Sequence, residues 1–472
     1  MARPRRESIL RIVLTVLVAG GNVLAWLIRT NVAYAVAQNR EVLLGRYTVG
    51  QFSGLFVLFL LSVPVVVLVW TQRGRRRRRC VGLLVMTLSV LLAAFVVDLV
   101  LRFVLPQPYV SEGDVEHRRP NAVFTGVTRD VPKTPCAYPA VWPGHPDVPY
   151  KLTTDSRGFR NSEALNECDV LVIGDSFAEG SEISDEQTWP ALVAGRSGKR
   201  VYNLGMAGGG PRKYRVAIEQ IGLGLKPKIV LLMLYEGNDF RADRKKTRTG
   251  LGQALRVYRK RSPILTMLKQ AMVRSLGRVG AVRMETVPED HPLWPIAWQP
   301  VAVPVGSLAR YYALEWKRLA AHWTPAEALR ESSGFQAALG LVAEMNALCR
   351  ERGIRLVVLF APDKPHVVLP LVRDRVSAEQ LRAFLALKLK HLPAAKACFE
   401  TLMTRLDACE SAVADFCRAE SIGFHSLTVA LRQEVAAGRQ VYFTYDQHWT
   451  PVGNRVVAES VAALLAEDRS AP

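Results

Sequence analysis

Asp169-Val170-Leu171-Val172-Ile173-Gly174-Asp175-Ser176-Phe177-Ala178-Glu179-Gly180 is the stretch on which the reading of this chain turns. Four apolar residues run directly into glycine. Such a run, ended by a turn signal, predicts a buried strand of a parallel sheet. A serine just past the carboxyl end of that strand sits where open α/β sheets bind ligands, and the turn can present backbone N–H groups to an anion. Taken alone, Ser176 reads equally well as a helix N-cap. The rest of the chain must supply a base, an orienting group and oxyanion donors before it reads as a nucleophile.

Downstream, the same signature recurs. Val201–Leu204 is a short strand ended by Gly205-Met206-Ala207-Gly208-Gly209-Gly210-Pro211. Lys228–Tyr235 is a third strand, ended by Glu236-Gly237-Asn238-Asp239. Arg355–Phe360 is a fourth, followed by Ala361-Pro362-Asp363-Lys364-Pro365, and Ile422–Leu427 a fifth. Helical patterns over 187–198, 212–225, 333–352 and 454–467 alternate with them, and this alternation implies a parallel sheet. Residues 240–330 and 378–421 interrupt it as insertions, the second helical. Residues 106–168, rich in Pro, read as linker and entry segment, with a short strand and a turn over 150–161 leading into the domain. The chemically interesting loops all follow strands or precede the last helix, so they converge on one edge of the sheet.

A serine hydrolase needs a nucleophile, a base, a group fixing the base's tautomer, and oxyanion donors. Ser176 can be the nucleophile, His448 the base and Asp446 its orienter. The two-residue spacing in a loop lets a carboxylate reach the imidazole Nδ1 while Nε2 faces the serine. The backbone N–H groups of Ser176 and Gly208 and the Asn238 side-chain amide are the natural oxyanion donors. Asp175 reads as a hydrogen-bonded support, Trp449 as packing beside the triad, and Asp363 and Lys364 as solvated loop residues. The histidines show no metal-ligand spacing.

Composition divides the chain. The net charge of +20 is concentrated in two places: residues 1–104 carry fourteen Arg against Glu7, Glu41 and Asp98, and residues 241–283 carry thirteen Lys/Arg against Asp243. The remainder is slightly acidic, which excludes a uniformly basic nucleic-acid binder. Residues 9–28, 51–70 and 81–104 are each apolar and long enough to cross a bilayer. A cleaved signal peptide is the rival reading of the first, but its length and the lack of a clear small-x-small site favour an uncleaved helix. Arg73 and Arg75–Arg79, between the second and third spans, read as a cytoplasmic positive-inside loop. Three spans then place everything after about residue 105 outside the cytoplasm, facing the periplasm or exterior of a bacterial inner membrane. Asp98 and Arg102, spaced i,i+4, can pair or reach the interface. The 241–283 patch reads as a solvated helix pair, as a surface on anionic headgroups, or as an attractor of acidic glycans; membrane or anionic-polymer contact is the preferred expectation. Cys136, Cys168, Cys349, Cys398, Cys409 and Cys417 fall outside the membrane, where disulfides are allowed but not paired by the sequence; for Cys168 and Cys349 buried free thiols fit as well.

Four blocks in order, Gly174-Asp175-Ser176-Phe177, Asn203-x-Gly205-x-x-Gly208, Gly237-Asn238-Asp239 and Asp446-x-His448-Trp449, resemble those of the SGNH (GDSL-type) hydrolases. The resemblance covers about 150–240 and 350–467. It implies a flavodoxin-like three-layer sandwich with a five-stranded parallel sheet. It also implies Ser176 as nucleophile, Gly208 and Asn238 as oxyanion donors, and Asp446 and His448 as the rest of the triad. The Asp-Gln-His-Trp-Thr-Pro-x-Gly ending, the Ala-Pro-Asp-Lys loop and the membrane tether look more loosely like bacterial proteins that O-acetylate exopolysaccharide, such as the alginate acetylation proteins. The expectation is a membrane-anchored serine esterase acting on ester-linked acyl groups, foremost acetyl, with no metal or organic cofactor implied. Alternatives are an O-acetyltransferase modifying a cell-envelope or exopolysaccharide, partnered by a membrane acyl-donor protein, and a non-catalytic envelope scaffold or glycan-binding protein.

Overall fold

Five runs rich in Val, Ile and Leu pair into one parallel sheet in a computed structural model that describes residues 3–28, 42–71, 73–104, 109–112, 115–130, 144–240, 258, 262–276, 298–305, 307–386 and 388–467. In chain order they are β1 (Val170–Ile173), β2 (Val201–Asn203), β3 (Ile229–Tyr235), β4 (Arg355–Ala361) and β5 (Gly423–Ser426). The spatial order is β2-β1-β3-β4-β5. Val170 lies beside both Val201 and Ile229, Arg355 beside Ile229, and Val357 beside Gly423. Every residue of β1 and β3 is buried, as expected when helices cover both faces of a parallel sheet.

Side chains alternate across the strands, and so do their partners. Leu171, Ile173, Leu232, Leu234, Val358 and Phe360 join one core with the buried faces of helices Pro211–Gln220, Ser333–Arg350 and Ala408–Ala419. Val170, Val172, Leu231, Met233 and Leu359 point the other way and are equally buried. Helices Trp189–Ser197, Thr428–Ala436 and Pro451–Glu467 pack side by side on the second layer. This is the expected three-layer sandwich. Strand order reverses between β1 and β3, so a crevice opens at their carboxyl ends, where Ser176 and Asn238 follow.

Several local expectations change. Residues 106–168 include two antiparallel ribbons, Tyr109–Glu112 with Val115–Arg118 and Val123–Thr128 with Val148–Thr153. Within the 240–330 insertion, where no strand was expected, Trp298–Val305 pairs with Leu308–Glu315. Pro300 and Pro304 are tolerated because this strand pairs on one side only. The 378–421 insertion is three helices, Ala378–Leu385, Ala395–Thr404 and Ala408–Ala419. Among the described residues, Cys80, Cys168, Cys349, Cys398, Cys409 and Cys417 are free thiols; Cys136 lies outside them. Burial pushes the Cys168 and Cys417 thiols up to about 12, which keeps them protonated and unreactive.

The chain divides into two compact units. One gathers the described residues 3–104, 258 and 262–276; the other holds 109–130, 144–240 and 298–467. In the first, three helices are long and apolar enough to cross a membrane over Ser8–Leu27, Val49–Trp70 and Arg77–Leu101, and their apolar side chains face outward. The third helix begins at Arg73, so the arginine run forms its first turns rather than a loop; arginine is a good helix former. The Arg102 side chain lies outside the described residues. Asp98 is buried and accepts hydrogen bonds from Ser262 Oγ at 2.6 Å and from the Ile264 N–H at 3.2 Å. It thereby caps the helix Pro263–Leu276, which leaves Leu265, Met267 and Leu268 exposed. Most of the 241–283 patch lies outside the described residues.

Candidate active site

Ser176 is not the N-cap of the turn after β1. That position belongs to Asp175, whose side chain accepts the Phe177 N–H at 2.9 Å. Ser176 is the first residue of the short helix Ser176–Glu179, closed by Gly180 at φ 78°. Because its neighbour performs the capping, the serine hydroxyl is left for another partner, and Ser176 Oγ lies 2.7 Å from His448 Nε2.

His448 is held from several sides. Asp446 Oδ1 is 2.5 Å from His448 Nδ1 and also accepts the His448 backbone N–H at 2.9 Å. Nδ1 therefore carries a proton and donates it to the carboxylate, and Nε2 is free to accept from serine. The Phe177 ring lies 5.0 Å from the imidazole and 4.8 Å, edge-on, from Trp449, which gives Trp449 the packing role expected of it. The loop closes on itself through the Tyr442–Trp449 bridge and the Phe443 N–H to His448 C=O bond of 3.1 Å. The side chains of His448 and Asp446 remain 21% and 19% exposed, so a substrate can reach them. Burial opposes the imidazolium, but Asp446, with Asp175 and Glu182 nearby, holds His448 above its ordinary value.

The three expected oxyanion donors come from the ends of β1, β2 and β3. Asn238 Nδ2 donates to Asp175 Oδ2 at 2.8 Å, and the second hydrogen of that amide remains for another acceptor. Burial raises the Asp175 carboxyl, against the pull of Phe177 N–H and Asn238. Asp239 is raised well above its usual range by burial and by Asp175; its oxygens accept from the Tyr214 hydroxyl and the Tyr235 N–H. Gly208 is exposed and sits at φ +70°, a conformation that favours glycine. Gly205 is required by proximity: a Cβ there would lie 2.2 Å from the Glu179 backbone nitrogen. Asn203 ties the same loop down, accepting from Gly205 N–H at 2.8 Å and donating to Ala178 C=O at 3.0 Å.

A cavity of about 320 Å³ lies against these donors, lined by Gly208, Gly209, Asn238, Gly334, Ala337 and Leu341 among others. Small residues dominate its wall. A larger cavity of about 740 Å³, near Arg160, Asp185 and Asn203, contains none of the candidate catalytic residues.

Five ionisable residues behind the site, Asp130, Glu236, Asp363, Lys364 and His366, were not legible as parts of it. Asp363 and Lys364, expected in solvent, are 1% and 0% exposed. Lys364 Nζ donates to the carbonyls of Phe443 at 2.8 Å and Thr444 at 2.9 Å. Burial pushes its ammonium down to about 8, while Asp130, Asp446, Glu315 and Asp363 work in the opposite direction. Asp130, from the presumed linker, accepts the N–H groups of Thr444 and Tyr445. Glu236 accepts from the Asp363 N–H at 2.8 Å and lies 2.9 Å from His366 Nδ1. Burial opposes the His366 imidazolium, but Glu236 and Asp407 lift it to about 10. A signal for Lys364 existed in its place directly after a buried strand, where a charge has little access to water. Asp130 offered none.

Residues 321–472 match the family described as the SGNH hydrolase-like domain of the acetyltransferase AlgX. Among solved structures the chain is similar to a lipolytic protein of the G-D-S-L family from Desulfitobacterium hafniense, at 12% identity over 62% of this chain and 98% of that one, with a TM-score of 0.30. It is similar to a catalytic variant of an acetylxylan esterase from Geobacillus stearothermophilus, at 11% identity over 64% and 94%, with a TM-score of 0.30. No curated protein matches the chain.

Proposed function

We propose that this chain is a serine-dependent, ester-acting enzyme anchored in a bacterial inner membrane, with its catalytic domain facing the periplasm or exterior; the match of residues 321–472 to an SGNH hydrolase-like domain supports it. The observation that carries the reading is the line Ser176 Oγ, His448 Nε2 at 2.7 Å, and Asp446 Oδ1 at 2.5 Å from Nδ1. The three apolar helices and the arginine run at the start of the third support the anchoring and its orientation.

In this mechanism, Ser176 Oγ attacks the ester carbonyl carbon as its proton passes to His448 Nε2. Asp446 stabilises the imidazolium that forms. The carbonyl oxygen becomes an oxyanion that accepts hydrogen bonds from the N–H groups of Ser176 and Gly208 and from the Asn238 amide, each such donor contributing roughly 2.7–4 kcal/mol to the barrier reduction. Collapse breaks the ester C–O bond, and His448 gives its proton to the departing alcohol. The acyl-serine is then attacked by a second hydroxyl, which His448 deprotonates, and Ser176 recovers its proton as the acyl group leaves. Water as that second nucleophile makes the protein an esterase. A sugar hydroxyl makes it an O-acetyltransferase of an envelope or exopolysaccharide, with a membrane acyl-donor protein as partner. The match of residues 321–472 to an acetyltransferase family favours this second reading.

The test uses the full chain in detergent with a chromogenic acetyl ester, with and without a glycan acceptor. Release that is lost in Ser176→Ala and in His448→Ala supports the enzyme, and label on the glycan assigns the transferase. Absence of both turnover and acyl-Ser176 in folded protein overturns the catalytic reading in favour of a scaffold or glycan-binding role.

A further inference from the structure

The loop bearing Asp446 and His448 is gripped by two opposite charges that belong to neither the triad nor the oxyanion donors. On one side is Asp130, 5% exposed. Its Oδ2 accepts the Thr444 N–H at 2.5 Å and the His145 N–H at 2.7 Å. Its Oδ1 accepts the Tyr445 N–H at 2.8 Å and the Asp446 N–H at 3.3 Å. On the other side is Lys364, fully buried. Its Nζ donates to the carbonyls of Phe443, Thr444 and, at 3.4 Å, Ala313. Carboxylate and ammonium thus hold the two ends of the peptide dipoles over residues 443–446. The last N–H in Asp130's grip is that of Asp446 itself.

We propose that Asp130 and Lys364 form a charge clamp that sets the Asp446 carboxylate against His448, and that both are positioning residues for the base. This rests on the reading of His448 as the base. Three physical points carry it. A charge-assisted hydrogen bond is shorter and stronger than a neutral one, so a loop held by five of them, three from Asp130 and two from Lys364, has little freedom. A buried ammonium is costly to desolvate and is weak evidence for net stability, and among the described residues the hydrogen bonds of Lys364 Nζ go to carbonyls. Lys364 is therefore poorly explained by stability alone. Finally, Asp130 and Asp446 are two carboxylates approaching one turn, and Lys364 is the cation that faces both. Glu315 and Asp363 also face Lys364, while Asp175 and Glu182 face His448 together with Asp446.

The test is Lys364→Met in the full chain in detergent, read by NMR titration of the His448 imidazole, with the signal assigned by His448→Gln. Simple removal of a cation raises an imidazolium's pKa, whereas release of Asp446 from Nδ1 lowers it. The clamp therefore predicts a midpoint lowered by about half a unit or more in the folded variant. It further predicts kcat about tenfold lower or worse at unchanged KM, since a small misplacement of catalytic groups is costly. An unchanged or raised midpoint overturns the clamp. If Lys364→Met does not fold, Asp130→Asn is read by the same titration, and an unshifted midpoint there overturns it equally. The titration needs no turnover, so a catalytically silent wild type would count against the proposed function and leave this result to stand separately.

Discussion

Replacing Asn238 by alanine removes two hydrogen bonds with separable consequences. One is the bond from Nδ2 to Asp175 Oδ2, 2.8 Å long and present in the resting protein. The other is the bond its second amide hydrogen makes to the oxyanion in the transition state. Loss of an oxyanion donor costs roughly 2.7–4 kcal/mol, or about a hundred- to a thousandfold in kcat, with little change in KM because the bond is absent in the ground state. Loss of the first bond leaves Asp175, only 1% exposed, with the Phe177 N–H as its remaining partner in this turn. An under-satisfied buried carboxylate costs about 1–3 kcal/mol of stability, and the Asp175 carboxyl, already raised by burial, should rise further. Two assays separate the effects: initial rates on an acetyl ester over a range of concentrations, and thermal melting of the same preparation. A destabilised protein whose kcat, per folded molecule, falls less than about threefold would refute the assignment of Asn238 to the oxyanion and leave it as a support for Asp175.

Other expectations follow from the same geometry. The plot of kcat/KM against pH should rise through a midpoint above the ordinary histidine value, because His448 must be neutral to accept the serine proton and Asp446 holds it raised; in Asp446→Asn that limb should move to lower pH. His366, lifted from 6.5 to about 10, stabilises the fold fully below about 6.5 and loses that contribution as pH rises through about 10; the melting difference between wild type and His366→Gln should therefore be larger at pH 6 than at pH 10. Asp98→Ala removes the carboxylate that caps Pro263–Leu276, costing about 0.5–2 kcal/mol in that helix, to be read as faster amide exchange over 263–276 with the catalytic domain unchanged.

How far the chain could be read before folding depended on the range of the interaction involved. β1 and β3 were legible because burial on both faces leaves continuous apolar runs, and the three long apolar helices because their length and composition are local properties. Ser176, Gly208, Asn238, Asp446 and His448 were legible as a set because each follows a strand or precedes the last helix, and the parallel topology carries those positions to one edge. The strand Trp298–Val305 was hidden by its two prolines, whose cost depends on which edge of the strand is paired. The helical start of the third apolar helix was hidden because a run of arginines carries no hydrophobic periodicity, although arginine is a good helix former. Lys364 was read as solvated because lysine usually is, yet it is buried with its charge on carbonyls 79 and 80 residues away. Asp130 lay in a stretch with no pattern, and the N–H groups it accepts are 314 to 316 residues distant. The sequence by itself determined the strands of the central sheet, the long apolar helices and the chemically equipped loops, since hydrophobic burial and turn chemistry act within a few residues. Tertiary structure alone decided which buried charges meet. A carboxylate or ammonium leaves water only where the fold brings enough partners to it, and those partners are set by packing across the whole chain rather than by its neighbours in sequence.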